Sequence, residues 1–153
     1  GAESSGGVAQ RRDMYRRGGG CRIYSEEEGP KRWHKVVLIV PPEQIPTVRA
    51  YVEAQNPQGF YPVQSDAFYL ELVPQGISKG RGMRMIQQAL GLTKTAAIGD
   101  RENDKPMLEL ADFSAVPKSG DPDLQKEVDF IVDSCENGAV ADFICRLEQI
   151  CTQ

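Results

Sequence analysis

The sequence predicts an α/β protein: a parallel sheet with helices on both faces, preceded by a smaller antiparallel unit. Three observations predict it. From residue 79 onward, short apolar runs alternate with stretches of helical spacing, the pattern of strand–helix–strand units. Between residues 34 and 73 the order is instead strand, helix, strand, strand, with a tight turn between the last two. Finally, the apolar run 95–98 leads directly into Gly99-Asp100. Open parallel sheets place ligands just there, beyond the carboxyl ends of their strands.

Taken in order, residues 1–30 hold Ser4-Ser5-Gly6-Gly7, Gly18-Gly19-Gly20 and Glu26-Glu27-Glu28-Gly29-Pro30, and read as a poorly structured segment with a short strand at 21–25. Residues 31–73 form the β-α-β-β unit. The strand 34–40 (HKVVLIV) is rich in β-branched residues and ends at Pro41-Pro42. The helix 43–55 carries Ile45, Val48 and Val52 at helical spacing and stops at Asn56-Pro57. Strands 59–65 and 67–73 meet at Ser65-Asp66, read as a hairpin turn. Residues 74–153 supply the parallel sheet. The helix 79–90 has Ser78 as N-cap, Gly91 as C-terminal stop, and Met83, Ile86, Ala89 and Leu90 on one face. The strand 95–98 follows, then a helix near 103–111 with Pro106 tolerable in its first turn. A strand at 113–116, a short helix at 121–127, a strand at 130–132 and a helix at 137–150 complete the pattern.

Composition excludes several classes. The 153 residues carry a net charge of −4, split into +3 over residues 1–35 and −7 over the remainder. An acidic body argues against a nucleic-acid partner, and Arg11-Arg12 and Arg16-Arg17 read as a solvated tail. No apolar run approaches the roughly 20 residues of a membrane span, and no stretch has the layout of a signal peptide. A soluble, cytoplasmic protein with no membrane partner is expected. Cys21, Cys135, Cys145 and Cys151 form no C-x-x-C pair, so neither a zinc site nor a disulfide framework is expected. Cys145 and Cys151 read as small buried apolar groups of the terminal helix, and the single histidine, His34, as a strand-end residue.

The residues that carry chemistry cluster in two segments. Gly99-Asp100-Arg101-Glu102-Asn103-Asp104 places two carboxylates, Asp100 and Asp104, on one side of a turn. Two hard oxygen ligands suit Mg²⁺, which keeps several waters beside one or two carboxylates. Gly99 is expected to let the backbone turn sharply. The Asn103 amide can donate to a phosphate oxygen without adding negative charge. A bare Gly-Asp pair would read as a turn cap, with Asp104 capping the next helix; the preceding strand and following helix favour the site. The second segment, Gly76-Ile77-Ser78-Lys79-Gly80, opens a helix. A helix N-terminus attracts anions, and Lys79 adds a full positive charge there.

Together these residues resemble a known family. The stretch 69–150 is similar to the C-terminal half of the Cof-type branch of the haloacid dehalogenase (HAD) superfamily, with a class IIB cap. The resemblance is carried by Ser78-Lys79-Gly80, Ile98-Gly99-Asp100, Asn103-Asp104, Met107-Leu108, Ala111-Asp112, Ala115-Val116 and Ala139-Val140. It implies a HAD-like, Rossmannoid core whose β-α-β-β neighbour at 34–73 is the latter part of an α+β cap. It implies that Lys79 acts in catalysis by steadying the phosphoryl group and the nucleophile, and that Asn103 contacts phosphate. It also implies that Asp100 binds Mg²⁺, with Asp104 supporting the metal shell. The expected substrate is a small phosphorylated metabolite such as a sugar phosphate.

The family's nucleophile is expected on a strand ending in two aspartates one residue apart. The first attacks phosphorus to form an aspartyl phosphate, and the second acts as general acid and base. Asp121-Pro122-Asp123 has that spacing but follows Lys118-Ser119-Gly120 rather than an apolar strand, Asp129 and Asp133 are too far apart, and Asp13 sits among arginines. The chain therefore reads as the C-terminal portion of a phosphohydrolase, truncated and inactive by itself. The strand 95–98 would then have an open edge, a template for pairing with an N-terminal half or with a second copy. A non-catalytic interaction module using that edge is the alternative, and a phosphotransferase or mutase shares the same half-site.

Overall fold

The computed structural model describes residues 34–55 and 58–151. The expectations for residues 1–30 lie outside the described residues. The chain is an α/β protein with two three-stranded sheets, one antiparallel and one parallel.

The antiparallel sheet is built from β1 (Val36–Ile39), β2 (Phe60–Asp66) and β3 (Tyr69–Pro74) in the order β1-β3-β2. One helix, α1 (Ile45–Ala54), packs on it, entered through a 3₁₀ turn at Pro42–Gln44. The expected helix from 43 is thus split, because Pro46 in the first turn has no N–H to extend an α-helix upstream. Val40, Ile45 and Leu70 form the core of this unit with Leu38 and Val48 against them. Leu70 is fully buried, a side chain worth about 1.5–3 kcal/mol of transfer free energy. The hairpin turns at Ala67-Phe68 rather than at Ser65-Asp66. A register shift between Gln64 and Asp66 carries β2 one step further, and Asp66 Oδ1 then accepts the Phe68 N–H at 3.3 Å.

The parallel sheet is formed by β4 (Ala96–Ile98), β5 (Phe113–Pro117) and β6 (Phe130–Val132), in that order. Strand β5 is central, and its side chains alternate between two cores. Val116 faces Ala97, Leu108 and Leu124, with Met83 of α2 (Lys79–Leu90) and Met107 of α3 (Lys105–Leu108) packed against them. Ala115 faces Val132 and the Ala139 and Phe143 side chains of α4 (Ala139–Cys151). Helix α2 keeps its expected bounds: Ser78 Oγ accepts the Arg81 N–H at 3.1 Å, and Gly91 takes the left-handed conformation, φ 62°. The expected helices at 103–111 and 121–127 shrink. The first is a 3₁₀ turn at Glu102–Asp104 followed by the single turn of α3, and the second is a 3₁₀ turn at Leu124–Lys126. Cys145 is exposed, contrary to expectation. The buried stripe of α4 runs through Ala139, Phe143 and Leu147, and Cys145 lies two residues off it, on the far side of the helix.

Two carboxylates fasten the sheet's ends. Asp112 accepts the Thr95 N–H at 2.9 Å and the Lys94 ammonium at 2.8 Å, so its carboxyl is held below its ordinary range, chiefly by the Lys94 bond. Asp142 accepts the Arg146 guanidinium and the Asp133 N–H, both near 2.9 Å, and is lowered in the same way, chiefly by Arg146. Among the described residues β4 pairs on one side only. On α2, Met83 packs against the core, whereas Ile86 and Leu90 are 59% and 67% exposed among the described residues.

Candidate functional site

The site is organised by one buried carboxylate. Asp104 is 3% exposed and closes the 3₁₀ turn that follows β4. Its Oδ2 accepts the N–H groups of Asp100 at 3.0 Å and Arg101 at 3.3 Å. Its Oδ1 accepts the Lys79 ammonium. One side chain therefore shapes the turn and ties it to the start of α2. Lys79 is the first residue of that helix, so its charge and the helix's free N–H groups point to the same place.

Two glycines make this approach possible by their lack of a side chain. A Cβ on Gly99 would lie 2.4 Å from the Asp104 Cβ and 2.7 Å from its Cγ. Gly99 does not have a positive φ. The expectation that it serves a sharp backbone turn is therefore corrected: what the position requires is room for the Asp104 carboxylate. A Cβ on Gly80 would lie 2.2 Å from the Pro106 carbonyl oxygen, so α2 can cross the turn closely only with glycine there.

Three of the four residues singled out in the sequence lie on one turn, and Lys79 reaches it through Asp104, but they sit in different environments. Asp100 presents a carboxylate that is 48% exposed, with the Arg101 Nε 3.8 Å away. Asn103 is partly buried, and its Oδ1 is buried without a hydrogen-bond partner among the described residues. Lys79 reaches across to Asp104, whose oxygens are already engaged. Lys79 and Asn103 line a cleft of about 710 Å³ roofed by Tyr61, Val63 and Val73 of the antiparallel sheet. Asp100 lines a separate cavity of about 330 Å³ on the other side, with Ile98, Pro117, Ala139 and Val140.

Glu102, its partner Arg49 and Asp121 also belong to this neighbourhood, and the sequence did not single them out for it. Glu102 accepts Arg49 Nη2 at 2.5 Å, Arg49 Nη1 at 3.1 Å and the Gln64 N–H at 2.8 Å, which joins the antiparallel sheet to the turn. Asp121 donates its backbone N–H to the Asp100 carbonyl at 3.0 Å, so the loop after β5 flanks the acidic turn. Its Oδ1 accepts the Asp123 N–H at 2.8 Å, an Asx turn; Asp123 itself is outward and paired with Lys126. The string Gly120-Asp121-Pro122 is a local signal that could have placed a turn there, whereas nothing local marks Arg49 as the partner of a residue 53 positions away.

Fit to a divalent cation rests on the donor set. Asp100 is a carboxylate free enough of partners to ligate, at the carboxyl end of a strand, and suits a hard cation that keeps most of its water. Asp104 fits as the group that holds the turn, since both its oxygens already accept hydrogen bonds. The orphaned Asn103 amide suits an oxyanion, because a carboxamide can present either its oxygen or its NH₂ by rotation.

Comparison with known proteins agrees with this architecture. The profile of the haloacid dehalogenase-like hydrolases matches residues 11–144. A Streptococcus pyogenes protein, described provisionally as a phosphatase, is 40% identical over 96 residues, covering 59% of this chain and 36% of that one. The chloroplastic endoribonuclease YBEY of Arabidopsis thaliana is 40% identical over 86 residues, which cover 55% of this chain but 15% of that protein. A haloacid dehalogenase-like hydrolase of Bacteroides thetaiotaomicron superposes with a TM-score of 0.70 at 21% identity, over 90% of this chain and 53% of that one. The chain thus spans between about a seventh and about half of the length of these three matches.

Proposed function

This chain belongs to the haloacid dehalogenase-like hydrolase family, and from that premise we propose that it is the C-terminal portion of a Mg²⁺-dependent phosphohydrolase acting on small phosphorylated metabolites such as sugar phosphates. The observation that carries the reading is the Lys79–Asp104 pair, which locks the turn presenting Asp100 and Asn103 at the carboxyl end of the parallel sheet. In this reading Lys79 neutralises charge on the phosphoryl group, a role that matters most as that charge shifts in the transition state. Asn103 holds a phosphoryl oxygen. Asp100 is the metal carboxylate, and the bound cation supplies Lewis-acid stabilisation of phosphoryl oxygens. Asp104 keeps Lys79 and the turn in register.

The attacking carboxylate comes from residues other than these. It forms an aspartyl phosphate with loss of the alcohol, to which a second aspartate gives a proton, and water then releases phosphate. The test is hydrolysis of an aryl phosphate with Mg²⁺ by a protein that includes an upstream two-aspartate strand, alongside the 153-residue chain. The longer protein is expected to turn over and to lose activity with Asp100→Ala or Lys79→Ala. Robust hydrolysis by the 153-residue chain alone would overturn the assignment of the nucleophile.

A second reading is favoured by one feature, the edge of β4 that has no partner strand among the described residues. The exposed Ile86 and Leu92 lie near β4 on one side and Val140 on the other. In this reading the chain is a non-catalytic module that associates through that edge. Mass against concentration separates the two: a strictly monomeric, well-folded chain removes this reading.

A further inference from the structure

Glu102 lies inside the acidic turn, between Arg101 and Asn103, and the phosphatase reading gives it no task. Its carboxylate engages the antiparallel unit. Two elements of that unit converge on it. Arg49 of α1 grips both oxygens in a fork, at 2.5 and 3.1 Å, and the backbone N–H of Gln64 in β2 donates to Oε2 at 2.8 Å. A bidentate guanidinium–carboxylate contact fixes direction as well as distance. Arg49 Nη1 also donates to the Pro62 carbonyl at 3.4 Å, which ties the guanidinium to β2 as well as to Glu102. Near the chain connection, the Tyr61 hydroxyl donates to the Ile77 carbonyl at 2.8 Å. The small sheet is therefore attached to the parallel unit at its linker and, separately, at the very turn that carries Asp100 and Asn103.

We propose that Glu102 is a positioning residue, a latch through which Arg49 and the Gln64 amide fix the orientation of the antiparallel sheet over the turn bearing Asp100 and Asn103. A side chain one residue from Asn103 then couples the roof of the cleft to the turn beneath it. Any tilt of the roof first breaks this three-donor contact. Only a residue with two acceptor oxygens can serve both the fork and the amide, which is why glutamate rather than glutamine suits the position.

The inference stands on contacts within this chain and not on the phosphatase reading, so its test needs no turnover. NMR of the 153-residue chain reads amide exchange at Gln64 and, by residual dipolar couplings, the orientation of β1–β3 relative to β4–β6. Glu102→Ala is expected to speed Gln64 exchange about tenfold or more, to leave the ladder amides of Leu70 and Leu72 unchanged, and to alter the inter-sheet orientation. Pairing Arg49→Glu with Glu102→Arg is expected to restore the orientation while Gln64 stays fast, since arginine accepts no hydrogen bond. That split would not arise from general stabilisation. Unchanged Gln64 exchange and unchanged inter-sheet couplings in Glu102→Ala would overturn the proposal. If Glu102→Ala loses its dispersed spectrum, Glu102→Gln, which keeps the shape and one acceptor, decides instead: unaltered couplings there overturn it, and altered couplings with retained ladder protection support it.

Discussion

Removing the Asp104 carboxylate should cost far more than removing its neighbour at position 100, although both are aspartates of the same turn. Asp104→Ala leaves the part-buried N–H groups of Asp100 and Arg101, now 3.0 and 3.3 Å from an acceptor, without one. Each such donor costs about 1–3 kcal/mol when stranded. The Lys79 side chain is 50% exposed, so its lost ion pair adds little, below about 1 kcal/mol. Both donors are only part-buried, which puts each in the lower part of that range and the sum at about 3 kcal/mol. Asp100→Ala removes a half-exposed carboxylate with one contact at 3.8 Å, and should stay within about 0.5 kcal/mol. Urea unfolding at pH 7 measures both. With a slope of about 1–3 kcal/mol/M, the Asp104→Ala midpoint should fall by about 1–3 M and the Asp100→Ala midpoint should hardly move. Asp104→Asn keeps one carbonyl oxygen for the amides and should fall between them. Equal midpoints for the two alanine variants would refute the reasoning that one aspartate builds the turn and the other is presented by it.

Two other consequences can be measured directly. Gly80→Ala places a Cβ 2.2 Å from a backbone oxygen of Pro106 and 2.9 Å from Leu110 Cδ1, so α2 must shift off the turn; a loss of about 1–3 kcal/mol in thermal unfolding is expected, with a wild-type melting temperature contradicting the close crossing. Stability should also fall in acid. Asp112 and Asp142 have folded-state values below the ordinary 3.8, held down chiefly by Lys94 and Arg146. Their contribution is complete above that value and is lost as pH falls through it and on through the lower folded value. The urea midpoint should therefore drop below about pH 4, and Asp112→Asn should make that drop shallower than in the unchanged chain.

Much of the local structure was legible because it is written in local chemistry. Ser78 and Gly91 bracket α2 as their cap preferences require, and the β-branched and apolar runs fall on strands. Departures occur where a neighbour overrides local preference. The hairpin turn moved two residues because a register shift and the Asp66 side chain set it. The helix expected near 103–111 shrank to a 3₁₀ turn and the single α-helical turn of α3, with Asp104 drawn inward by backbone amides and Lys79. Gly99 was read as letting the backbone turn sharply, whereas its lack of a side chain makes room for a carboxylate five residues on. Cys145 was read as apolar filling, but the phase of the buried stripe in α4 leaves it outside.

The fold class was legible in the sequence alone, from the strand and helix patterning. The resemblance of its motifs to a known family proposed Lys79 and Asn103 for phosphate and Asp100 and Asp104 for a metal shell. Tertiary structure decided the division of labour among them. Whether an aspartate is presented to solvent or consumed by its own turn depends on donors contributed from elsewhere, here Lys79 from 25 residues upstream. It also decided the part of Glu102, since its partners Arg49 and Gln64 lie 53 and 38 positions away. Local patterning carries no record of contacts at such separations, because they exist only once both sheets have formed and docked.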